Sequence, residues 1–229
     1  MNKDTDVTPL SRQQIAWRAA QDLKEGMYVN LGIGVPVFAA LHAPADREIV
    51  FHSENGIFGV GPVADKAQED LNLLDAGSQR VTLARGAALV DSAASFALVR
   101  GGHIDVTLLG GFQVSAGGDL ANWDSLSTTK GPLVGGAMDL ATGARALWVL
   151  MAHCTKDGAP RLVEQCSYPL TVQGAVDRVY TDLAVIAVTE NGFLVEEVVA
   201  GLSRDELAAR TGAPLAFAAD CRTLNVPDL

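Results

Sequence analysis

Cysteine is scarce in this chain: Cys154, Cys166 and Cys221 are the only three in 229 residues. Their number is odd and no pair has CxxC spacing, so they read as reduced thiols of a cytoplasmic protein and not as a disulfide or zinc framework. Aromatic residues make up only 6%. The core must therefore be built from Ala, Val, Leu and Ile, a composition that suits parallel strands covered by helices. Positive charge is in deficit, with a formal net charge of -10, so a general nucleic-acid surface is excluded, although a local cationic patch for an anionic ligand is not. No uncharged apolar run approaches the roughly 20 residues needed to span a bilayer, and Met1 to Leu10 is polar, without an apolar signal core. Fixed-period repeats and Pro-, Ser- or charge-rich linkers are also missing, which favours one domain spanning 1–229, with 1–10 as a flexible N-terminal tail and 215–229 as a C-terminal tail.

Familiar catalytic signatures are missing as well. The four histidines, His42, His52, His103 and His153, show no HExxH pairing, so no metal is expected. There is no GxSxG elbow, which leaves a Ser-His-Asp hydrolase unsupported. His153 and Cys154 are neighbours on an extended segment and point to opposite faces, so they make a poor nucleophile pair. Gly32-Ile33-Gly34 would need glycine at 37 to complete a dinucleotide fingerprint, and Val37 stands there.

Glycine, by contrast, is plentiful: 23 residues, in clusters. Clustered glycines mark tight turns or close backbone approach to a ligand. A helix is expected over Ser11 to Leu23 with Ser11 as N-cap, followed by a strand over Met27 to Leu31 and a helix over Val37 to His42 with Pro36 in its first turn. Further strands are expected at Glu48 to His52, Val81 to Ala84, Ile104 to Leu109, Ala146 to Met151 and Leu183 to Thr189. Further helices are expected at Asp91 to Arg100 and Ser203 to Thr211, the latter opened by a Ser203/Glu206 capping box. This alternation predicts an α/β fold: a single open, largely parallel sheet flanked by helices. In such sheets ligands gather at the carboxyl ends of strands. Gly32 to Gly34, Asn55-Gly56 and Gly110-Gly111 all fall there, on one rim. The apolar stretch Leu194 to Leu202 fits either core or an interface.

Ser53-Glu54-Asn55-Gly56 holds a carboxylate on a sharp bend just past an apolar strand, because Asn and Gly both tolerate positive φ. A carboxylate so held can act as a covalent nucleophile against an activated electrophile. Taken alone, the same four residues also fit a solvated turn with Ser53 as a helix cap. His52, two residues earlier, reads as a core or capping residue. Asn30 lies on an apolar strand, where an unpaired amide would cost about 1–3 kcal/mol, so a partner is expected.

Four blocks together are more specific. Val29-Asn30-Leu31-Gly32-Ile33-Gly34-Val35-Pro36 is followed by Ser53-Glu54-Asn55-Gly56. Gly110-Gly111-Phe112-Gln113-Val114 leads to Gly118-Asp119-Leu120-Ala121-Asn122-Trp123. Lys130-Gly131-Pro132-Leu133-Val134-Gly135-Gly136-Ala137-Met138-Asp139-Leu140 comes last. In this order they resemble the class I CoA-transferases, specifically B (beta) subunits of the succinyl-CoA:3-oxoacid type, which include acetoacetate and 3-oxoadipate enzymes. The likeness runs from about Ser11 to about Pro214.

The resemblance implies a NagB/RpiA/CoA-transferase-like fold and an enzyme that moves CoA from succinyl-CoA, or another acyl-CoA, to a 3-oxoacid. Coenzyme A is then substrate and covalent intermediate, with no tightly bound cofactor. It also implies Glu54 as nucleophile, Gly136 and Gly135 as backbone oxyanion donors, and Asn30, Gly32, Gly34, Asn55, Gly56, Asn122 and Ala137 around CoA and substrate. The glycine-rich signature of an A half is not found, so a separate A (alpha) subunit is implied, as a heterodimer or heterotetramer with the active site at the seam. Ser115-Ala116-Gly117-Gly118 departs from many relatives in lacking an acidic residue. The same glutamate would also serve an acetate-directed transferase or an acyl-CoA hydrolase. A non-catalytic binding module on this fold is a third reading.

Overall fold

Helix α1 (Arg12–Gln21) starts where the sequence places its cap: the Ser11 side chain accepts from the Gln14 N–H and the Gln14 side chain accepts from the Ser11 N–H. This satisfies two of the orphan donors of the first turn. Its apolar face, Ile15, Ala16, Ala19 and Ala20, is buried. The computed structural model describes residues 7–67, 69–127, 129 and 131–229. Most of the expected N-terminal tail and Lys130 of the last motif block lie outside the described residues.

The chain continues through β1 (Tyr28–Leu31), a 3₁₀ helix (Val35–His42), β2 (Val50–Ser53), β3 (Ile57–Val63), β4 (Val81–Leu89), α2 (Ser92–Arg100), β5 (Val106–Leu109), β6 (Gln113–Ser115) and β7 (Leu120–Ala121). It then forms α3 (Ala137–Gly143), β8 (Ala146–Leu150), β9 (Leu162–Val163), β10 (Val176–Tyr180), β11 (Ala184–Thr189), β12 (Gly192–Val199), α4 (Arg204–Ala209) and β13 (Leu215–Leu224). Ten strands make one open sheet in the order β13-β12-β11-β10-β8-β5-β1-β2-β3-β4. Its centre, β10-β8-β5-β1-β2, is parallel throughout. Antiparallel pairings extend it on both sides. All four residues of β5 are buried, as expected for a strand covered on both faces. β12 alternates buried and half-buried residues along its whole length.

Among the described residues, α1 packs on the 3₁₀ helix, and α2 packs on α3, which lies against β5. α1 is also tied to the sheet by charge. Arg18 reaches Glu197 of β12 at 2.7 Å and Asp22 at 2.8 Å. Asp22 is shared with Arg178, and Glu197 with Arg222.

The expected C-terminal tail needs correction. The residues from 215 onward are not a loose tail: Leu215–Leu224 is the edge strand β13, parallel to β12. Its sequence has no clean period-two contrast, and the stretch it pairs with reads as merely apolar, so neither half of the pair announces the other. The end of the other tail is anchored, since the Leu10 N–H donates to the Asp182 carbonyl at 2.9 Å. Leu194 to Leu202 belongs to the core: Val195, Val199 and Leu202 are buried within the chain. A small second sheet, β7-β6-β9, adds to the single sheet that the alternation predicts.

Candidate active site

The five parallel strands end along one rim, and each ends in a residue group of the cavity. Gly34 follows β1, Glu54 follows β2, Gly110 and Gly111 follow β5, Met151 follows β8 and Asp182 follows β10. They line a cavity of about 810 Å³, which also receives Asn122, Gly135, Gly136 and Ala137. Another cavity, of about 660 Å³, lies at the amino ends of β1 and β2, around Tyr28 and Val50, and contains none of the candidate residues.

Glu54 sits on a turn held from three sides. The Gly56 N–H donates to the Ser53 carbonyl at 2.9 Å. Gly56 has φ +118°, and a Cβ there would stand 2.0 Å from the Val90 carbonyl oxygen, so only glycine fits. The Ala76 N–H donates to Ser53 Oγ at 2.8 Å, and Asn55 Nδ2 donates to the Leu74 carbonyl at 2.7 Å. Both flanking side chains therefore grip the loop at 74–76, and the Glu54 side chain is left for the cavity. Burial pushes its carboxyl above the ordinary carboxylate range, because low polarity disfavours the charged form.

Gly136 closes on this carboxylate. A Cβ at Gly136 would lie 3.2 Å from Glu54 Oε2 and 2.6 Å from Phe96 Cζ, whereas one at Gly135 would meet nothing within 4 Å. Gly136 is the N-cap of α3, which has no side-chain cap, so first-turn N–H groups next to the carboxylate are free of an internal acceptor. Asn122 lines the cavity, with Nδ2 donating to the Gly110 carbonyl at 3.1 Å and Oδ1 accepting from Thr171 Oγ1 at 2.6 Å.

Four candidates are not brought to the cavity. Asn30 is fully buried and donates through Nδ2 to His52 Nδ1 at 3.0 Å. His52, equally buried, then carries its proton on Nε2, 2.9 Å from Ser95 Oγ. Burial holds the pKa of His52 down at about 4, so this chain of polar groups is neutral. Gly32 is packed on β5, where a Cβ would meet the Leu108 carbonyl oxygen at 2.6 Å. Asn55 faces the loop at Leu74, and Gly56 packs on Val90. All four belong to the motif blocks, and a motif does not separate the frame of a turn from its open side. The sequence gives no sign of Phe96, the ring on which Gly136 rests, because an aromatic on an apolar helix face carries no functional signal.

Cys154 also lines the cavity. Its thiol is pushed up by burial and by Asp182, which leaves little thiolate near neutrality. His153 does not activate it, since its ring lies between Thr181 Oγ1 at 3.1 Å and Thr211 Oγ1 at 3.0 Å.

A carboxylate on a strand-end turn, close to the uncapped start of a helix inside a glycine-lined cleft, is chemically suited to acyl transfer. The Coenzyme A transferase family model matches residues 12–209, and the chain belongs to that family. Within it, the relatives are B-type subunits, and this chain is a CoA-transferase subunit of the same type. It is 51% identical over 211 residues to the B subunit of 3-oxoadipate CoA-transferase from Pseudomonas putida, covering 92% of this chain and 99% of that protein. It is 45% identical over 203 residues to the B subunit of succinyl-CoA:3-ketoacid coenzyme A transferase from Helicobacter pylori, covering 88% and 97%.

Solved structures show the same fold. Glutaconate coenzyme A-transferase from Acidaminococcus fermentans superposes with a TM-score of 0.68 at 19% identity, over 97% of this chain and 92% of that one. The acyl-CoA transferase YdiF of Escherichia coli O157:H7, in its thioester complex with CoA, superposes with a TM-score of 0.74 at 18% identity. This chain spans 98% of itself but only 44% of YdiF in that superposition. Among the described residues, no helix is long and apolar enough to cross a membrane.

Proposed function

We propose that this chain is the glutamate-bearing B subunit of a cytoplasmic 3-oxoacid CoA-transferase, working with a separate A subunit through a glutamyl-CoA thioester on Glu54. The observation that carries this reading is the approach of Gly136 to Glu54 Oε2, at 3.2 Å from a Cβ position, inside the shared cavity. The subunit names of the relatives supply the partner, and their substrates supply succinyl-CoA as donor and a 3-oxoacid as acceptor.

The chemistry follows from the groups present. The Glu54 carboxylate attacks the carbonyl of the acyl-CoA, and the C–S bond breaks to release CoA thiolate and leave a mixed anhydride. The thiolate attacks the glutamyl carbonyl, the anhydride C–O bond breaks, and the donor leaves as a carboxylate. The acceptor carboxylate then attacks the glutamyl thioester and displaces the thiolate, which takes the 3-oxoacyl group and restores Glu54. No proton is gained or lost in any step, so no general base is required. The neutral, buried His52 and His153 fit that absence. Each addition puts negative charge on a carbonyl oxygen, and in this reading N–H groups around Gly135 and Gly136 receive it. The raised basicity of the partly buried carboxylate favours attack.

The test is to incubate the co-expressed A/B complex with succinyl-CoA and weigh the peptide that contains Glu54. A mass gain of CoA less one water at Glu54, and loss of transfer in Glu54→Ala with assembly intact, are expected. Near-normal turnover in Glu54→Ala would refute the mechanism. CoA release without an acceptor acid would instead identify a hydrolase.

A further inference from the structure

Asn30 of β1 and His52 of β2 stand in register on neighbouring central strands, and both are fully buried. Ser95 of α2 is equally buried, and its hydroxyl meets the His52 ring. Packing alone does not call for this polar trio in an apolar core, since replacing hydrogen-bonded partners by apolar groups of the same shape is close to neutral.

The two nitrogens of the imidazole have different tasks. An amide nitrogen only donates, so Asn30 Nδ2, 3.0 Å from His52 Nδ1, fixes that atom as the acceptor. The ring proton is then on Nε2 and is directed at Ser95 Oγ, 2.9 Å away. Phe58, the partner of His52 across β3, lies against the ring with centroids 4.3 Å apart, so the imidazole is held on its line to Ser95.

Ser95 is followed directly by Phe96, the ring on which Gly136 rests. His52 precedes Glu54 by two residues. One side-chain hydrogen bond therefore joins the strand that presents the carboxylate to the helix that backs the glycine beside it. Main-chain contacts complete the frame. The Val90 N–H donates to the Gly56 carbonyl at 2.9 Å just before α2 begins. A Cβ at Gly143 would meet the Val99 carbonyl oxygen at 2.6 Å, so the far end of α3 also lies close on α2. Between these two main-chain contacts, at the level of Phe96, the tie from α2 to β2 is His52–Ser95.

We infer that the His52–Ser95 hydrogen bond is a positioning device: through Phe96 it sets the separation between the Glu54 carboxylate and Gly136, and Asn30 supports it by holding the histidine tautomer. This deepens, and rests on, the reading of Glu54 as the group that takes up CoA. Neither His52 nor Ser95 lines the cavity, so both act through the groups they hold.

The experiment separates the two arms of the imidazole in the A/B complex. In His52→Gln the side-chain amide reaches as far as Nε2 did and still donates to Ser95. In His52→Asn it stops near Nδ1, keeps Asn30 and loses Ser95. Both changes shrink a buried ring, so a merely structural role would cost the two alike. A displacement of about 1 Å at the reacting centre costs on the order of 100-fold, and loosening one tie of this frame should cost part of that, roughly tenfold in kcat, in His52→Asn and in Ser95→Ala. KM for succinyl-CoA and for the 3-oxoacid should stay within about twofold, and His52→Gln should keep kcat within about threefold. His52→Asn/Ser95→Ala should be no slower than the slower single variant, because the two singles remove the same bond. Ser95→Ala leaves β2 untouched and decides the matter alone should the histidine variants fail to assemble. Equal kcat losses in His52→Gln and His52→Asn, losses confined to Tm, or a KM rise in place of the kcat loss would overturn the inference. Transfer that persisted in Glu54→Ala would defeat the catalytic reading, whereas unimpaired transfer in Ser95→Ala beside an inactive Glu54→Ala would defeat the positioning role alone.

Discussion

Adding a single methyl group at Gly136 tests the geometry of the site most directly. An alanine Cβ there would stand 2.6 Å from Phe96 Cζ, 2.8 Å from Phe96 Cε1 and 3.2 Å from Glu54 Oε2. Carbon atoms rest at about 3.5–4.0 Å, so either the ring or the start of α3 must retreat by about 1 Å. The backbone itself is not strained, since Gly136 has φ -74°. A displacement of about 1 Å at a reacting centre costs on the order of 100-fold in rate, and loss of one oxyanion donor costs about 10²–10³ in kcat. Gly136→Ala is therefore expected to lower kcat roughly 100-fold with little change in KM. The neighbouring change, Gly135→Ala, meets no atom within 4 Å and should be far milder. Adding Phe96→Leu to Gly136→Ala makes room on the ring side and should recover part of the loss. Steady-state transfer rates of the reconstituted complex, together with the yield of CoA-labelled Glu54 peptide, measure this. Equal impairment of the two glycine variants, or a Gly136→Ala enzyme within about threefold of wild type, would refute the reasoning.

Other outcomes follow from charge and burial. Burial raises the Glu54 carboxyl above 4.5, so the folded state disfavours its ionised form. Glu54→Gln should raise Tm at pH 7.5–8, and the gain should vanish as the pH falls below the ordinary carboxylate value; scanning calorimetry at the two ends of this range checks it. His52 and His153 are held down at about 4, from 6.5, by burial. The unfolded chain therefore takes up their protons first, and stability should fall from about pH 6.5 downward, by about 3 kcal/mol per histidine once pH 4 is reached; urea midpoints across that range, with His153→Asn giving a shallower decline, test it. Glu197→Ala leaves the buried Arg18 with Asp22 alone and should cost about 1.5–3 kcal/mol, while Arg18→Met/Glu197→Leu should recover most of it in urea unfolding.

Four of the five central strands, β1, β2, β5 and β8, are legible in the sequence as short apolar runs, whereas β10, broken by Asp177 and Arg178, is not among the expected strands. The helix starts at Ser11 and Ser203 are legible because a capping box is satisfied locally, and both boxes form as read. The flanking strands are harder. β13 depends on a parallel partner, and β4 runs to Leu89 through a stretch of mostly exposed residues, so neither shows a periodic face. At the site, Glu54, Gly34, Asn122 and the Gly135 to Ala137 segment meet in one cavity. Asn30, Gly32, Asn55 and Gly56 occur in the same motifs yet turn inward or sideways. Their side chains, or lack of them, answer to packing on Val90, Leu108, Leu74 and His52, which are contacts no linear pattern encodes.

The two hydrogen bonds that steady the Glu54 bend reach across to main-chain atoms, the N–H of Ala76 and the C=O of Leu74. The carboxylate that the proposed cycle bonds and frees thus hangs from a brace indifferent to the side chains of the strip it grips. That strip can drift in sequence, by substitution though not by deletion, without disturbing the nucleophile. Variation there is free to serve other ends, while Ser53 and Asn55, small and chemically plain, remain the pair whose loss would let the bend swing.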